Sequence, residues 1–244
     1  MKKSDLVFLI VSVAILLPFM PVPFLGQFQK EFLYNKEYWI VTSFIKFALL
    51  ATLGEVIGYR IKTKHYPVKP FGVIPRAIVW GFLGLFIKLA FDVFGTGIPI
   101  FLEKSCGLEG ALNSMKFKDG LDAFNQGAGG VRLLTAFSIS VALNLIFAPV
   151  MMTFHKITDS HITERGGTIR GLFRCIHFGE IFDKKINWLV QWDFVFKRTI
   201  PFFWIPMHTI TFLLPDEYRI IFAALLGVAL GIILSFASIK GSKK

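Results

Sequence analysis

Four ionisable side chains stand inside long apolar stretches of this sequence, and they are the first candidates for chemistry: Lys46, Glu55, Lys88 and Asp92. A charge at the centre of a bilayer costs about 2.5–3.5 kcal/mol on insertion scales, so such groups are usually paired or face water. Lys88 and Asp92 are spaced to pair on one helix face. Two interpretations stay open for the set: structural pairs with a Lys46 that snorkels outward, or the polar lining of an aqueous path.

Glu55 falls near the end of its apolar stretch, within reach of Arg60 and a basic loop. It is either an interfacial salt-bridge acid or a member of the same polar lining. Lys46 and Lys88 fall at similar depth and outnumber Asp92, so a path that they line would slightly prefer anions.

Uncharged polar side chains extend this picture in two later apolar stretches. Ser140 and Asn144 share one helix face, and Trp204, His208 and Thr211 share another. These groups either line an aqueous path or join helices by hydrogen bonds, as Ser, Thr and Asn often do in lipid.

The familiar signatures of catalysis and cofactor binding are absent. We find no GxSxG, no Walker loop, no HExxH and no dinucleotide glycine fingerprint, so we predict no enzyme and no cofactor. The run His155, Asp159, His161 and Glu164 offers metal-ligand types, but its two His residues do not share a helix face. We interpret the run as a solvated loop and predict no metal site.

These polar residues stand out because the rest of the chain is strongly apolar. The 244 residues are 54% hydrophobic with 28 phenylalanines, and this exceeds what a soluble domain can bury. We therefore predict an all-α fold, a multi-pass transmembrane helical bundle that forms a single membrane domain over 1–244. Its six predicted spans are 6–24, 39–58, 77–94, 133–152, 200–214 and 220–239. The fifth is interrupted by Pro201 and Pro206 and is expected to be kinked or partial.

Basic residues indicate the orientation. Of 27 lysines and arginines, 18 fall on one side of the predicted spans and seven on the other. Because Lys and Arg are retained on the cytoplasmic side, both termini are expected there, in a plasma membrane of the bacterial inner-membrane type. The net charge of +11 is thereby explained without nucleic acid.

The predicted cytoplasmic loop 153–199 contains an amphipathic pattern. Lys184, Asn187, Gln191 and Arg198 recur at helical spacing beside Trp188 and Trp192, which is typical of a helix in the membrane interface. In the last stretch, the GxxxG of Gly227 and Gly231 either seats a neighbouring helix closely or reflects apolar packing alone.

The segment FWIPMHTITFLLPDEYR resembles the signature of the Mpv-seventeen/peroxisomal-membrane-protein-twenty-two family. The residues that carry the likeness are Trp204, Pro206, Phe212, Pro215, Tyr218 and Arg219. Upstream, similar pieces occur in the family order: Gly54-Glu55, then Gly84 with Lys88 and Phe91, then Asn144 with Pro149. The sequence departs from the family where Ile205 separates Trp204 from Pro206, and where Glu, Lys and His replace Asp, His and Gln.

This resemblance implies a distant, bacterial relative of small multi-pass proteins without catalytic residues, thought to be weakly selective channels. The expected function is therefore a channel or pore-like protein that passes small solutes or ions. The alternatives are an ion-coupled secondary transporter and a non-transporting membrane scaffold. The expected partners are the lipid bilayer and the solutes, and a homo-oligomer stays open.

Overall fold

The computed structural model describes residues 3–20 and 22–241, and for 234–241 it describes the backbone alone. Every regular element in this part of the chain is helical, as predicted. Six long helices form the bundle: α1 (Lys3–Leu16), α2 (Trp39–Thr63), α3 (Val73–Lys104), α4 (Gly129–Glu164), α5 (188–213) and α6 (Asp216–Gly241).

Among the described residues, three helices are long and apolar enough to cross a membrane. They are α2 with its preceding turn (Lys36–Thr63), α3 and α4, which contain the second to fourth predicted spans. Lys3–Phe19 and Pro23–Leu33 together form a fourth candidate, bent by 62°. Pro18 and Pro23 lie next to this bend, where each proline lacks the backbone N–H of a continuous helix. Apolar helices of this kind fit a membrane protein.

The fifth predicted span is not a short separate segment. It is the second half of α5, which begins at the predicted interfacial stretch and contains a wide π-type run over Gln191–Trp204. Such a run re-registers the backbone hydrogen bonds, so Pro201 is accommodated without breaking the helix. The sixth predicted span, 220–239, falls in α6, and its residues from 234 lie outside the described side chains.

The predicted loop 153–199 begins too early. Helix α4 continues to Glu164 and ends where Gly166 and Gly167 adopt positive φ angles of 74° and 66°. Only then does the chain form short helices at Ile169–Leu172 and Phe178–Lys184. His155, Asp159, His161 and Glu164 are therefore helical, and the solvated-loop interpretation was wrong.

Helices α2 and α6 approach each other closely at glycines. A Cβ at Gly54 would lie 3.2 Å from the carbonyl oxygen of Gly227, and one at Gly231 would lie 2.9 Å from that of Gly54. Of the two interpretations of the GxxxG pair, the structure supports the first, in which the glycines allow a neighbouring helix to approach closely. A comparable contact joins α3 to α2, where Gly84 lies beneath the ring of Phe47.

A buried arginine connects the segment after α3 to the rest of the bundle. Arg132 is 0% exposed, and its guanidinium donates to the carbonyl oxygens of Ser114 (2.8 Å) and Phe212 (3.2 Å). Ser114 ends the short helix Ala111–Ser114, and Phe212 belongs to α5. Arg132 therefore fixes this segment over the end of α5.

Candidate functional site

Two cavities follow one another along the same helices. The first has a volume of about 410 Å³ and is called here the Lys46 cavity; the second, of about 290 Å³, is called the His208 cavity. On α2, the Lys46 cavity is lined by Trp39, Thr42, Ser43 and Lys46, and the His208 cavity by Phe47, Ala51 and Glu55. The linings on α6 likewise change from Asp216, Glu217, Arg219 and Ile220 to Ala223, Gly227, Leu230 and Gly231. The cavities are consecutive along the bundle axis.

One aromatic side chain stands between them. Phe91 of α3 lines both cavities and is itself 5% exposed. Its ring centroid lies 5.1 Å from that of Phe212 and 5.5 Å from that of His208. The shared wall of the two cavities is therefore made of packed aromatic rings.

Lys46 is buried in the wall of the first cavity and does not snorkel outward. Its side chain donates to the carbonyl oxygen of Leu33 at 2.6 Å and lies 5.2 Å from the centroid of Tyr34. The predicted pair of Lys88 and Asp92 is confirmed and lines the same cavity. Asp92 is 61% exposed, so this pair lies toward the rim rather than in the core.

Three of the five predicted uncharged lining residues, Asn144, Trp204 and His208, reach the His208 cavity. Asn144 and His208 line it and contact each other, Nδ2 to Nδ1, at 3.0 Å. Ser140 donates to the carbonyl oxygen of Ile205, and Thr211 donates to that of Met207. Neither Ser140 nor Thr211 lines a described cavity, so these two join or cap helices.

The His208 cavity ends at a cluster of charged side chains. Glu55 accepts a hydrogen bond from Trp80 Nε1 at 2.8 Å and one from Arg76 at 3.0 Å, and it lies 3.1 Å from His155 Nε2. Arg76 also pairs with Asp159, which lies 3.5 Å from the same His155 nitrogen. We call these five residues the Glu55 cluster. Helices α2, α3 and α4 all contribute to it.

The sequence predicts Glu55 within reach of Arg60 and of the basic loop that follows it; the structure pairs Arg60 with Asp5 at 3.1 Å and pairs Glu55 with Arg76, the last basic residue of that loop. Arg76, Trp80, His155 and Asp159 were not among the predicted site residues. One local signal was available, because His155 and Asp159 are four residues apart on a helix and can share its face. The remaining members come together only through tertiary packing.

Glu55, His155 and Asp159 offer ligand atoms that lie within 4.8 Å of one another, a spacing that can hold a metal ion. Arg76, however, donates to both carboxylates and offsets one of their two negative charges. The cluster is therefore an ion-pair network in which one carboxylate charge remains to be offset, by a protonated His155 or by a bound cation, and His155 Nε2 has no hydrogen-bond partner among the described residues. His161 takes no part, because it is buried against the carbonyl oxygen of Gly171.

Glu164, the last residue of the run first assigned to a loop, pairs with Lys185 at 2.9 Å. This hydrogen bond raises the pKa of Lys185 above its ordinary value. The contact connects the end of α4 to the segment before α5 and lies away from both cavities.

Several residues of the family motif meet where the cavities join. Phe91 and Phe212 pack together, and Trp204 stacks near His208 at 5.2 Å. Arg219 donates to the carbonyl oxygens of Leu214 and Phe212, and Tyr218 packs on Tyr34 at 5.3 Å. The remaining residues that resemble the family signature are glycines at close helix contacts and prolines near the ends of helical segments: Gly54, Gly84, Pro149, Pro206 and Pro215.

Comparison with models of protein families, with curated proteins and with solved structures finds no match to this chain. The resemblance to the Mpv-seventeen family therefore rests on the motif residues and stays a prediction.

Proposed function

We propose that this protein is a channel-like membrane protein that passes small solutes or ions through the two cavities. The observation that carries the proposal is the serial arrangement of the cavities, with Phe91 as their shared wall. Spaces that occupy successive turns of the same helices would form one path if the side chain of Phe91 moved aside.

Unpaired polar atoms support a hydrated path. Trp204 Nε1 and Asn144 Oδ1 are buried and have no hydrogen-bond partner among the described residues, and both side chains line the His208 cavity. Buried polar groups are nearly always bonded to protein or to ordered water. Water or a polar solute in this cavity would satisfy both atoms.

Phe91 gives the proposed path a closed state. Apolar constrictions can stop conduction by excluding water, because wetting a narrow apolar passage is unfavourable. Phe91, backed by Phe212, forms such a constriction, and rotation of its ring would join the two cavities. No covalent step and no cofactor are needed.

We place the protein in a plasma membrane of the bacterial inner-membrane type with both termini in the cytoplasm. The 18 to seven distribution of basic residues supports this orientation. The Lys46 cavity then opens toward the outside, and the Glu55 cluster lies on the cytoplasmic side. The resemblance to the Mpv-seventeen family, whose members are thought to be weakly selective channels, agrees with this proposal.

Liposome flux tests the proposal directly. Purified protein is reconstituted into liposomes loaded with uncharged solutes of graded size and with ions, beside protein-free liposomes. We expect release of small solutes with a cutoff set by the passage at Phe91. Release equal to that of protein-free liposomes, at several protein densities, would reject the channel and favour a membrane scaffold.

An ion-coupled secondary transporter is the second candidate, favoured by the Glu55 cluster at the end of the His208 cavity. Ionisable groups at membrane depth are typical of coupling sites. Flux that requires a proton or sodium gradient would support this candidate, whereas flux that follows the solute gradient alone would support the channel.

A further inference from the structure

We propose that the Lys46 cavity is a binding site for a small monovalent anion, either inorganic or a carboxylate, and that the Lys46 ammonium is its main ligand. This inference rests on the proposed function, because the anion would be a species that passes along the path. It names a specific site and a chemical class within that path.

The Lys46 ammonium is buried without a carboxylate partner. The residue is 4% exposed, and among the described residues its one hydrogen-bond acceptor is the carbonyl oxygen of Leu33. An ammonium has three N–H donors, so two remain for a ligand. Removing an unpaired charge from water is costly, and an anion in the adjacent cavity would offset this cost.

Two hydroxyl groups lie on the same wall of the cavity. Thr42 and Ser43 are each 2% exposed, and neither side chain forms a hydrogen bond within the described part of the chain. Helical Ser and Thr usually bond to a preceding carbonyl, as Thr63 does to Tyr59. The hydroxyls of Thr42 and Ser43 therefore remain available as donors to a ligand next to Lys46.

The carboxylates that line the cavity lie toward its rim, and two of the three are paired with cations. Asp92 is 61% exposed and pairs with Lys88; Asp216 is 56% exposed and pairs with Arg219 at 2.6 Å and with Lys36 at 3.5 Å. The third, Glu217, is also exposed.

Arg219 also lies in the deeper wall, because its side chain is only 14% exposed, but its charge is paired with that of Asp216 at 2.6 Å. The lining as a whole carries four cations and three carboxylates, a net charge of +1, and among the described residues Lys46 is the lining cation without a carboxylate partner. Low-dielectric walls focus such a field and attract a single negative charge.

Trp39 lines the same cavity and reports on its contents, with Lys88 Nζ 5.7 Å from its ring centroid. A variant that keeps Trp39 and replaces the other four tryptophans with Phe is titrated in detergent with iodide, at constant ionic strength maintained with gluconate. We expect saturable quenching that acetate reverses, while caesium quenches without saturation.

The Lys46→Met change should weaken iodide binding at least about tenfold, because truncating one partner of a buried charge pair costs that much or more. Lys46→Arg should bind within about threefold of the parent. Lys30→Met is the matched control, because Lys30 is exposed and lines neither cavity, and it should leave binding unchanged. Linear quenching that is the same in the parent and in Lys46→Met would overturn the proposal.

A second measurement needs no tryptophan changes. Acetate should raise the unfolding temperature of the wild type, because a ligand of the native state stabilises it, and should have no such effect on Lys46→Met. Equal shifts in the two proteins would also overturn the site. Because binding in detergent requires no flux, saturable binding without liposome release would reject the channel and keep the site, and release without saturable binding would do the reverse.

Discussion

Gly54 and Val228 are in backbone contact: a Cβ atom at position 54 would lie 2.7 Å from the Cα of Val228. The neighbouring atom belongs to the backbone of α6, so it cannot move aside as a flexible side chain could. Gly54 is also the glycine of the Gly54-Glu55 pair, which resembles a piece of the Mpv-seventeen family signature. Because Gly54 has no side chain, α2 and α6 can pack together at the position next to Glu55.

We therefore expect Gly54→Ala to lower the free energy of unfolding by about 1–3 kcal/mol, the range for overpacked sites. Gly97→Ala is the matched control, because a Cβ at Gly97 in α3 meets nothing within 4 Å. That change should be neutral or stabilising by up to about 1 kcal/mol, since alanine favours helix more than glycine does. Thermal unfolding in detergent measures both, and equal stability of the two variants would contradict the close contact.

The Glu55 cluster leads to a prediction about its central cation. Arg76→Met would leave Glu55 and Asp159 facing each other without compensation, and removing one partner of a buried ion pair is strongly destabilising. Because both carboxylates are near 20% exposed, we expect a loss of about 2 kcal/mol rather than the full buried value. Adding Glu55→Gln and Asp159→Asn to Arg76→Met should restore part of that loss.

Chemical unfolding of the purified variants gives the comparison, with the exposed Arg170→Met as control. If Arg76→Met were no less stable than Arg170→Met, the network would have no structural role. If the added changes restored nothing, the loss would come from packing rather than from uncompensated charge.

The wall between the cavities predicts a gain of flux. Phe91→Ala removes the ring that both cavities share, so solute release from liposomes should become faster and admit larger solutes. Phe86→Ala is the matched control: it is the same substitution on the same helix, but Phe86 is 54% exposed and lines neither cavity. Release that is unchanged in Phe91→Ala relative to Phe86→Ala would show that Phe91 is not the barrier.

The proposed orientation can be tested with single cysteines. After Cys106 and Cys175 are replaced, cysteines at Lys36 and at Lys64 should differ in their reaction with a membrane-impermeant thiol reagent in intact cells. We expect labelling at position 36 and none at position 64, because the basic residues concentrate on the side of Lys64. Labelling at 64 but not at 36 would reverse the topology, and lysed cells provide the control for accessibility.

The parts of the site that could be predicted are those set by local spacing. Lys88 and Asp92 pair because residues four apart on a helix are neighbours, and Gly227 and Gly231 meet a partner helix for the same periodic reason. The all-helical fold, with helices apolar and long enough to cross a membrane, follows from the long apolar stretches of the sequence. In each case the information lies within one turn or one apolar stretch.

The Glu55 cluster could not be predicted in this way. Its members come from three helices, and α4 was ended at Met152 because hydropathy falls there. The helix in fact continues with a polar face, and its stop signal is the glycine pair Gly166-Gly167 rather than the first polar residue. If the helix ended at Met152, His155 would lie outside the bundle and could not contact Glu55.

The buried Arg132 also has a consequence for the order in which the chain assembles. Its acceptor at Phe212 lies 80 positions further along the sequence, so a nascent chain that has just delivered α4 holds a guanidinium with only part of its acceptor set. The hydrogen bonds of Arg132 are therefore completed only when α5 packs against α4. A chain truncated before residue 212 would leave the Arg132 guanidinium with the carbonyl oxygen of Ser114 as its one remaining acceptor among the described residues.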